Sequence, residues 1–310
     1  MIAQTIRSDA RQFLIPCHLL FILLTGCQQT AEVVPEGQLV GPGIISTEAP
    51  EFATTVNAAG DLIFFNRTTP DRSSMRILFA RRQSGQWLPA DTLPFSTGRY
   101  RDVDPFLTAD GQRLYFSSDR PTSPVDTSGI FNTWYVDRDG PGWSEAINPG
   151  APLNSDSTEI FITIAASGNA YFTSERLARG IVVSKFVDGQ YQVPEQLVMQ
   201  LRGEPIYASN PCIASDESFL IVAARDPQGN GTPDLFISWN EDGQWTELVN
   251  LGDAVNSPYA DFAPALSKDD KTLYFSSERP GIVGEQAEGL RPPGDLYEID
   301  LQAVLPTFTK

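Results

Sequence analysis

Apolar and polar residues alternate along most of the chain in short runs, and a polar turn breaks each run. In Arg113-Leu114-Tyr115-Phe116-Ser117, Leu114 and Phe116 share one face and Tyr115 takes the other, the period of two that marks a strand. The turn before it, Asp110-Gly111, has the right chemistry, because Asp favours turns and Gly tolerates positive φ. No stretch of the body sustains a 3.6-residue period with caps. The pattern therefore predicts an all-β protein of short antiparallel strands.

The pattern also repeats. An extended stretch ending in Asp/Glu-x-x-Pro or a variant leads to a polar turn, an aromatic strand, a pair of small residues, and then an acid and Arg. The clearest copies are 104–121 and 261–280, and the others centre on Arg67, Arg176 and Arg225. From Arg67 through Arg120, Arg176 and Arg225 to Arg279 the steps are 53, 56, 49 and 54 residues. A unit of that length cannot bury its own apolar face, so neighbours must stack.

Each unit divides into four strands. In the second they are 103–108, 113–117, 132–137 and one opened by Trp143 after the 139–142 turn. The fourth reads 211–215, 219–223, 234–239 and Trp245; the third has 171–173, 182–186 and Tyr191; the first has 62–65, 77–81 and Trp87. The fifth has 263–266, 272–276 and 295–301 but no fourth strand. Residues 37–52 parallel 251–264, the stretch that leads into a new unit. The expected fold is a five-bladed β-propeller of four-stranded antiparallel blades over residues 37–310. Its N-terminal strand completes the last blade and so closes the ring.

The recurring residues have structural uses in such a ring. Trp87, Trp143, Tyr191 and Trp245 each follow a turn, the place of wedges in the gaps that widen between blades toward the rim. Arg67, Arg120, Arg176, Arg225 and Arg279 each end a second strand, and a guanidinium fork wants a planar acceptor. Asp234 and Asp295 open third strands nearby, with Asn132 at a comparable place, and are the expected partners.

The N-terminus reads differently. Arg7 and Arg11 precede an apolar run, 13–24, followed by Leu24-Thr25-Gly26-Cys27. This span of twelve residues, interrupted by Pro16 and His18, falls short of the ~20 needed to cross a bilayer, and the order positive, apolar, small is that of an export signal. The last four residues resemble the bacterial lipobox. That resemblance implies a signal peptide over 1–26, cleavage before Cys27, and a diacylglycerol on its sulfur. Residues 27–36 are then a lipidated tether. Gln28, where Asp would signal retention, implies outer-membrane sorting in Gram-negative bacteria, with the body facing the periplasm or the exterior.

Charge and composition narrow the chemistry. There are 22 Lys plus Arg against 39 Asp plus Glu, a formal charge of −17. That balance opposes nucleic acid and anionic headgroups, so membrane contact is expected through lipid alone. Cys17 leaves with the leader and Cys27 is committed to lipid, so Cys212 is the one thiol of the body, within an apolar strand and expected as a buried small hydrophobe. The one histidine, His18, lies in the leader, which removes His-based catalysis and His-ligated metals from the body. The oxygen-rich loop 226–234 lacks the spacing of a helix-loop-helix calcium site, and no metal or cofactor is expected.

The segments YFSSDRP and YFSSERP, the turns DGQRLYFSS and DDKTLYFSS, the ending PGDLYEIDL and the linker WTELVNLGDAVNSPYADFAPALS resemble the TolB-type, WD-like propeller repeat of bacterial envelope proteins. The resemblance covers residues 37–301 and is weakest in the first and third units. It implies an envelope propeller that docks a protein or polysaccharide, and a monomer is expected. TolB itself carries an extra N-terminal domain and more blades, so its specific role does not transfer.

The loops entering the first strands carry Glu51, Asp102, Asp104, Glu159, Asn210, Tyr259 and Asp261. Recurring once per blade, they are the expected ligand-binding ring at the axial mouth. Five-bladed propellers also house glycosidases, which use two carboxylates across the scissile bond. In that alternative reading Asp104, Glu159 and Asp261 are the catalytic candidates, acting on an envelope, dietary or environmental polysaccharide. Their equivalent repeat positions favour binding or structure over catalysis. The 281–294 loop, longer than its siblings, is a second candidate surface.

Overall fold

The computed structural model describes Met1 and residues 36–229, 232–284 and 292–305. Residues 2–35, which include Cys27 and the expected export signal, residues 230–231 of the 226–234 loop and residues 285–291 of the 281–294 loop lie outside them. Five sheets follow one another along the chain as the blades of a propeller. Blade 1 runs Glu51–Val56, Leu62–Thr68 and Met75–Gln83, with Gln86–Trp87 and Asp91–Thr92 outside. Blade 2 runs Asp102–Leu107, Arg113–Ser118, Asn132–Asp139 and Gly142–Trp143. Blade 3 has Glu159–Ile164, Ala170–Ser174, Gly180–Ser184 and Glu195–Gln196; blade 4 has Ala208–Ile213, Phe219–Ala224 and Asp234–Glu241 with Gln244–Trp245 and Val249–Asn250. Blade 5 combines Asp261–Leu266, Thr272–Ser277 and Asp295–Asp300 with the N-terminal Gln38–Leu39.

The ring closes as the repeat requires. Gln38 and Leu39 pair antiparallel with Glu298 and Tyr297. Buried Ser46 ties the next turn down, its Oγ donating to the Leu296 carbonyl and accepting from the Leu296 amide, each at 3.2 Å. Val40 and Ile45, 1% and 0% exposed, anchor this segment against blade 1.

Five apolar clusters fill the seams between adjacent blades. Between blades 1 and 2, Phe64 and Ile77 meet Leu114 and Phe116; Tyr115, on the other face of the same strand, packs toward Phe172 in blade 3. Trp143 stands edge-on to Phe64, centroids 5.9 Å apart, and Trp245 edge-on to Tyr171 at 6.3 Å. Tyr191 packs with the cluster around Tyr115, and Trp87 with the one around Val40 and Tyr274. Each of these aromatics thus reaches the preceding blade.

Blade 5 has no such aromatic, and its seam is filled by a device absent from the repeat. After Asp300, one residue short of the expected strand end at 301, the chain turns into a one-turn helix, Leu301–Val304. The Asp300 carboxylate caps it by accepting the Gln302 amide at 2.9 Å. Leu301 and Val304 are buried among Ile237, Leu251 and Leu273 of the seam between blades 4 and 5. Leu301→Ala is expected to cost about 2–4 kcal/mol of folding free energy. Chemical denaturation reads this directly, and a loss below ~0.5 kcal/mol would show that the helix is dispensable.

Two details depart from the repeat. The Trp-bearing segments are two-residue hairpin tips, after which the chain returns to pair farther back, as Asp91–Thr92 does with Phe79 and Leu78. An extra hairpin, Met199–Leu201 with Glu204–Ile206, precedes blade 4.

Candidate functional site

The inner strand of every blade breaks its register after two residues. At each break one residue has positive φ: Ala53, Asp104, Phe161, Asn210 and Ala263, all between 46° and 57°. Such a conformation costs a non-glycine residue on the order of 1 kcal/mol, and the ring offsets it. The Ala53 amide donates to Ser276 Oγ, the Asp104 amide to Asn66 Oδ1, the Phe161 amide to Ser117 Oγ and the Asn210 amide to Thr173 Oγ1, at 2.8–3.0 Å. Every acceptor belongs to the preceding blade; Ser276, Ser117 and Thr173 are the first members of their small-residue pairs, and Asn66 holds the same place in blade 1. The pair is therefore an inter-blade latch.

The carboxylate that begins the inner strand has a different task. Glu51, Asp102, Glu159 and Asp261 are at most 1% exposed and bind Arg67, Arg120, Arg176 and Arg279 of their own blades at 2.6, 2.6, 3.0 and 2.8 Å. A hydroxyl-bearing residue four positions earlier, Thr47, Ser155 or Ser257, gives both its amide and its hydroxyl to Glu51, Glu159 or Asp261. The guanidinium lies over the second-strand aromatic, Phe65, Phe116, Phe172 or Phe275. Burial pushes the Glu51 and Asp102 carboxyls above their ordinary range, with Thr47 and Arg120 pulling back. These arginines thus have inner-strand partners instead of the third-strand acids expected from the sequence. Asp295 instead accepts the Ile282 amide, and Asp234 accepts from the Asn250 side-chain amide. Blade 4 has Ala208 at the strand start and Ala223 at the latch position.

The axial end at which the inner strands enter is apolar. Phe52, Ile160 and Phe262, each directly following one of these acids, pack with Ala53, Phe161 and Ala263. Beyond that layer lies a cavity of about 330 Å³, bounded by all five inner strands and by the first turns of blades 2 to 5. Asp104 lines it; Glu51, Asp102, Glu159, Asn210, Tyr259 and Asp261 do not. The Asn210 amide is held by Thr173 Oγ1 of the preceding blade, and the Tyr259 carbonyl accepts from Thr232 Oγ1.

Two groups in the cavity, Lys268 and Asp270, escaped the sequence reading, and Cys212, buried as expected, lies beside them. Lys268, in the first turn of blade 5, reaches over to blade 2, where Nζ donates to the Leu107 carbonyl at 2.6 Å and sits 4.7 Å from the Phe106 ring centre. Burial pulls its pKa down to about 8. Asp270 accepts the amide and hydroxyl of Ser215 in blade 4. Cys212 lines the wall, 3% exposed, and burial raises its thiol to about 12, which keeps it neutral. Asp104 is walled by protein but reachable from the cavity; burial alone lifts its pKa to about 7. Among the described residues its carboxylate has no hydrogen-bond or ion-pair partner, and no group of three or more metal-ligating side chains is found.

No family model and no curated protein matches the chain. Solved structures do. An α-L-arabinofuranosidase from Podospora anserina in complex with cellotriose aligns at TM-score 0.53 and 13% identity over 86% of this chain and 98% of that one. The catalytic domain of an α-L-arabinofuranosidase from Coprinopsis cinerea gives 0.50 and 11% over 85% and 97%. A TolB-assigned protein from Agrobacterium tumefaciens gives 0.48 and 13% over 83% and 79%. At such identities the likeness is one of fold alone.

Proposed function

We propose that the chain is a binding module of the bacterial cell envelope, held to the outer membrane by acyl chains on Cys27, with the axial cavity as its ligand site and without catalysis. One observation carries this reading: the acids that recur around the ring are bound to arginines, and Asp104 alone of the candidates enters the cavity. A glycosidase needs two carboxylates flanking the sugar, about 5–9.5 Å apart in an open site. Glu159 and Asp261, the other catalytic candidates, are 0% exposed and tied to Arg176 and Arg279. The partner is an envelope protein or polymer, and the module acts as a monomer.

Two experiments test the reading. Cys27→Ser is expected to move the protein from the membrane to the soluble fraction on cell fractionation; unchanged membrane retention would remove the lipid anchor from the account. Purified protein should retain envelope proteins or polymers without releasing products from a polysaccharide panel. Cleavage that stops with Asp104→Asn in a folded protein would establish the glycosidase instead.

A further inference from the structure

We propose that the axial cavity selects a small organic cation, an amine on a short apolar body, with the Asp104 carboxylate as counter-ion and the Phe106 and Phe161 rings as walls. The inference rests on the binding reading above and names its ligand class.

The backbone delivers the carboxylate. Asp104 sits at the inner-strand break with φ 56°, is followed by Pro105, and has its amide held by Asn66 Oδ1 at 2.8 Å. The side chain accepts nothing among the described residues, so a charge there is uncompensated until something enters.

The walls say what that is. Beside Phe106 and Phe161 they are built from residues such as Ile162, Pro264 and Leu266. Their hydroxyls are already committed: Thr54 Oγ1 donates to the Phe64 carbonyl, Thr163 Oγ1 to the Pro211 carbonyl, and Thr55 Oγ1 accepts the Leu107 amide. Little polar surface is left to read a sugar. The other charged and titratable groups at the cavity are Lys268, Asp110, Asp270 and Cys212. Asp110 is turned to Thr108 and Gln112, and Asp270 to Ser215. Three acids against one lysine, in a chain of formal charge −17, favour a cation over an anion.

Lys268 supplies the positive argument. The protein's own primary amine already lies in this cavity against an aromatic face and a carbonyl, the surroundings that suit an alkylammonium. A ligand amine at Asp104 would have a full carboxylate as its partner, within the same ring-lined cavity. The volume, about 330 Å³, equals the liquid share of roughly ten waters and suits a ligand of similar atom count.

The test is isothermal titration of the purified protein with phenethylammonium, its neutral isostere 2-phenylethanol, and phenylacetate. The amine is expected to bind and the other two not. Asp104→Asn should weaken it about 10- to 100-fold, the loss of a charge-assisted bond. Lys268→Met should tighten it several-fold by freeing the Leu107 carbonyl and removing a like charge. Going from pH 8 to pH 6 should weaken it about tenfold as Asp104, with its pKa near 7, takes up a proton while the amine stays charged. Equal binding of the alcohol, or preference for phenylacetate, overturns the cation assignment and leaves the binding reading standing. If none of the probes binds the native protein or Lys268→Met, the inference is also overturned. Retention of envelope proteins or polymers judges the binding reading separately.

Discussion

Glu159→Ala is expected to cost about 3–5 kcal/mol of folding free energy, the loss that follows when one partner of a buried pair is removed. Glu159 is 0% exposed, and its carboxylate receives the Ser155 amide and hydroxyl, the Ser174 hydroxyl and two guanidinium nitrogens of Arg176. Arg176, with 13% of its side chain exposed, would keep the Pro152 and Leu153 carbonyls but lose its counter-charge. The Ser155 hydroxyl and amide would lose their acceptor as well. Because these bonds tie the linker to the inner strand, the blade 2–blade 3 junction should loosen first. Urea unfolding measures the loss as a lower midpoint at unchanged slope. A change below about 1 kcal/mol would mean that Glu159 is not a structural acid.

Asp104→Asn is expected to act in the opposite direction. At pH 8 the substitution should stabilise the protein by on the order of 2 kcal/mol, because it removes an ionised group that is solvated only from the cavity and that no described residue pairs. The backbone accepts the change: Asn210 occupies the equivalent break in blade 4 with φ 50°. The pH dependence follows from the raised pKa. The folded-state value, about 7, lies above the unfolded value near 3.8, so the folded protein holds the proton more tightly. The penalty is absent below pH ~4, grows between pH 4 and 7, and is complete above 7. The stability difference between Asp104→Asn and the native protein should follow that curve. Shifts at Glu51, Asp102 and Asp295 are common to both proteins and cancel.

Much of this molecule was legible before any coordinates. Alternation placed Leu114 and Phe116 on one seam and Tyr115 on the next, and the missing fourth strand of the last unit pointed to the N-terminal closure that Gln38 and Leu39 make. The aromatics after the turns were legible as wedges for the same reason, a fixed place in a repeat. The arginine partners were not, because both Asp102 and Asn132 lie opposite Ser118 across the sheet. Only the folded linker, with Ser155 or Ser257 already turned onto its acid, shows which side needs the charge. A signal did exist for the closed end of the axis: Phe52, Ile160 and Phe262 each follow an inner-strand acid, where a polar mouth would not put them. Lys268 could not be found this way. In sequence it is one more charge in a polar turn, and only ring closure sets that turn against Leu107 of blade 2.

The most direct test compares unfolding free energies at pH 8 for alanine at Glu51, Asp102, Glu159 and Asp261 with that for Asp104→Asn. If the ring spends its recurring acids on fixing each blade's inner strand and entering linker and leaves one for a ligand, the four lose several kcal/mol each and the fifth gains. Four near-neutral values beside a costly Asp104→Asn would contradict it.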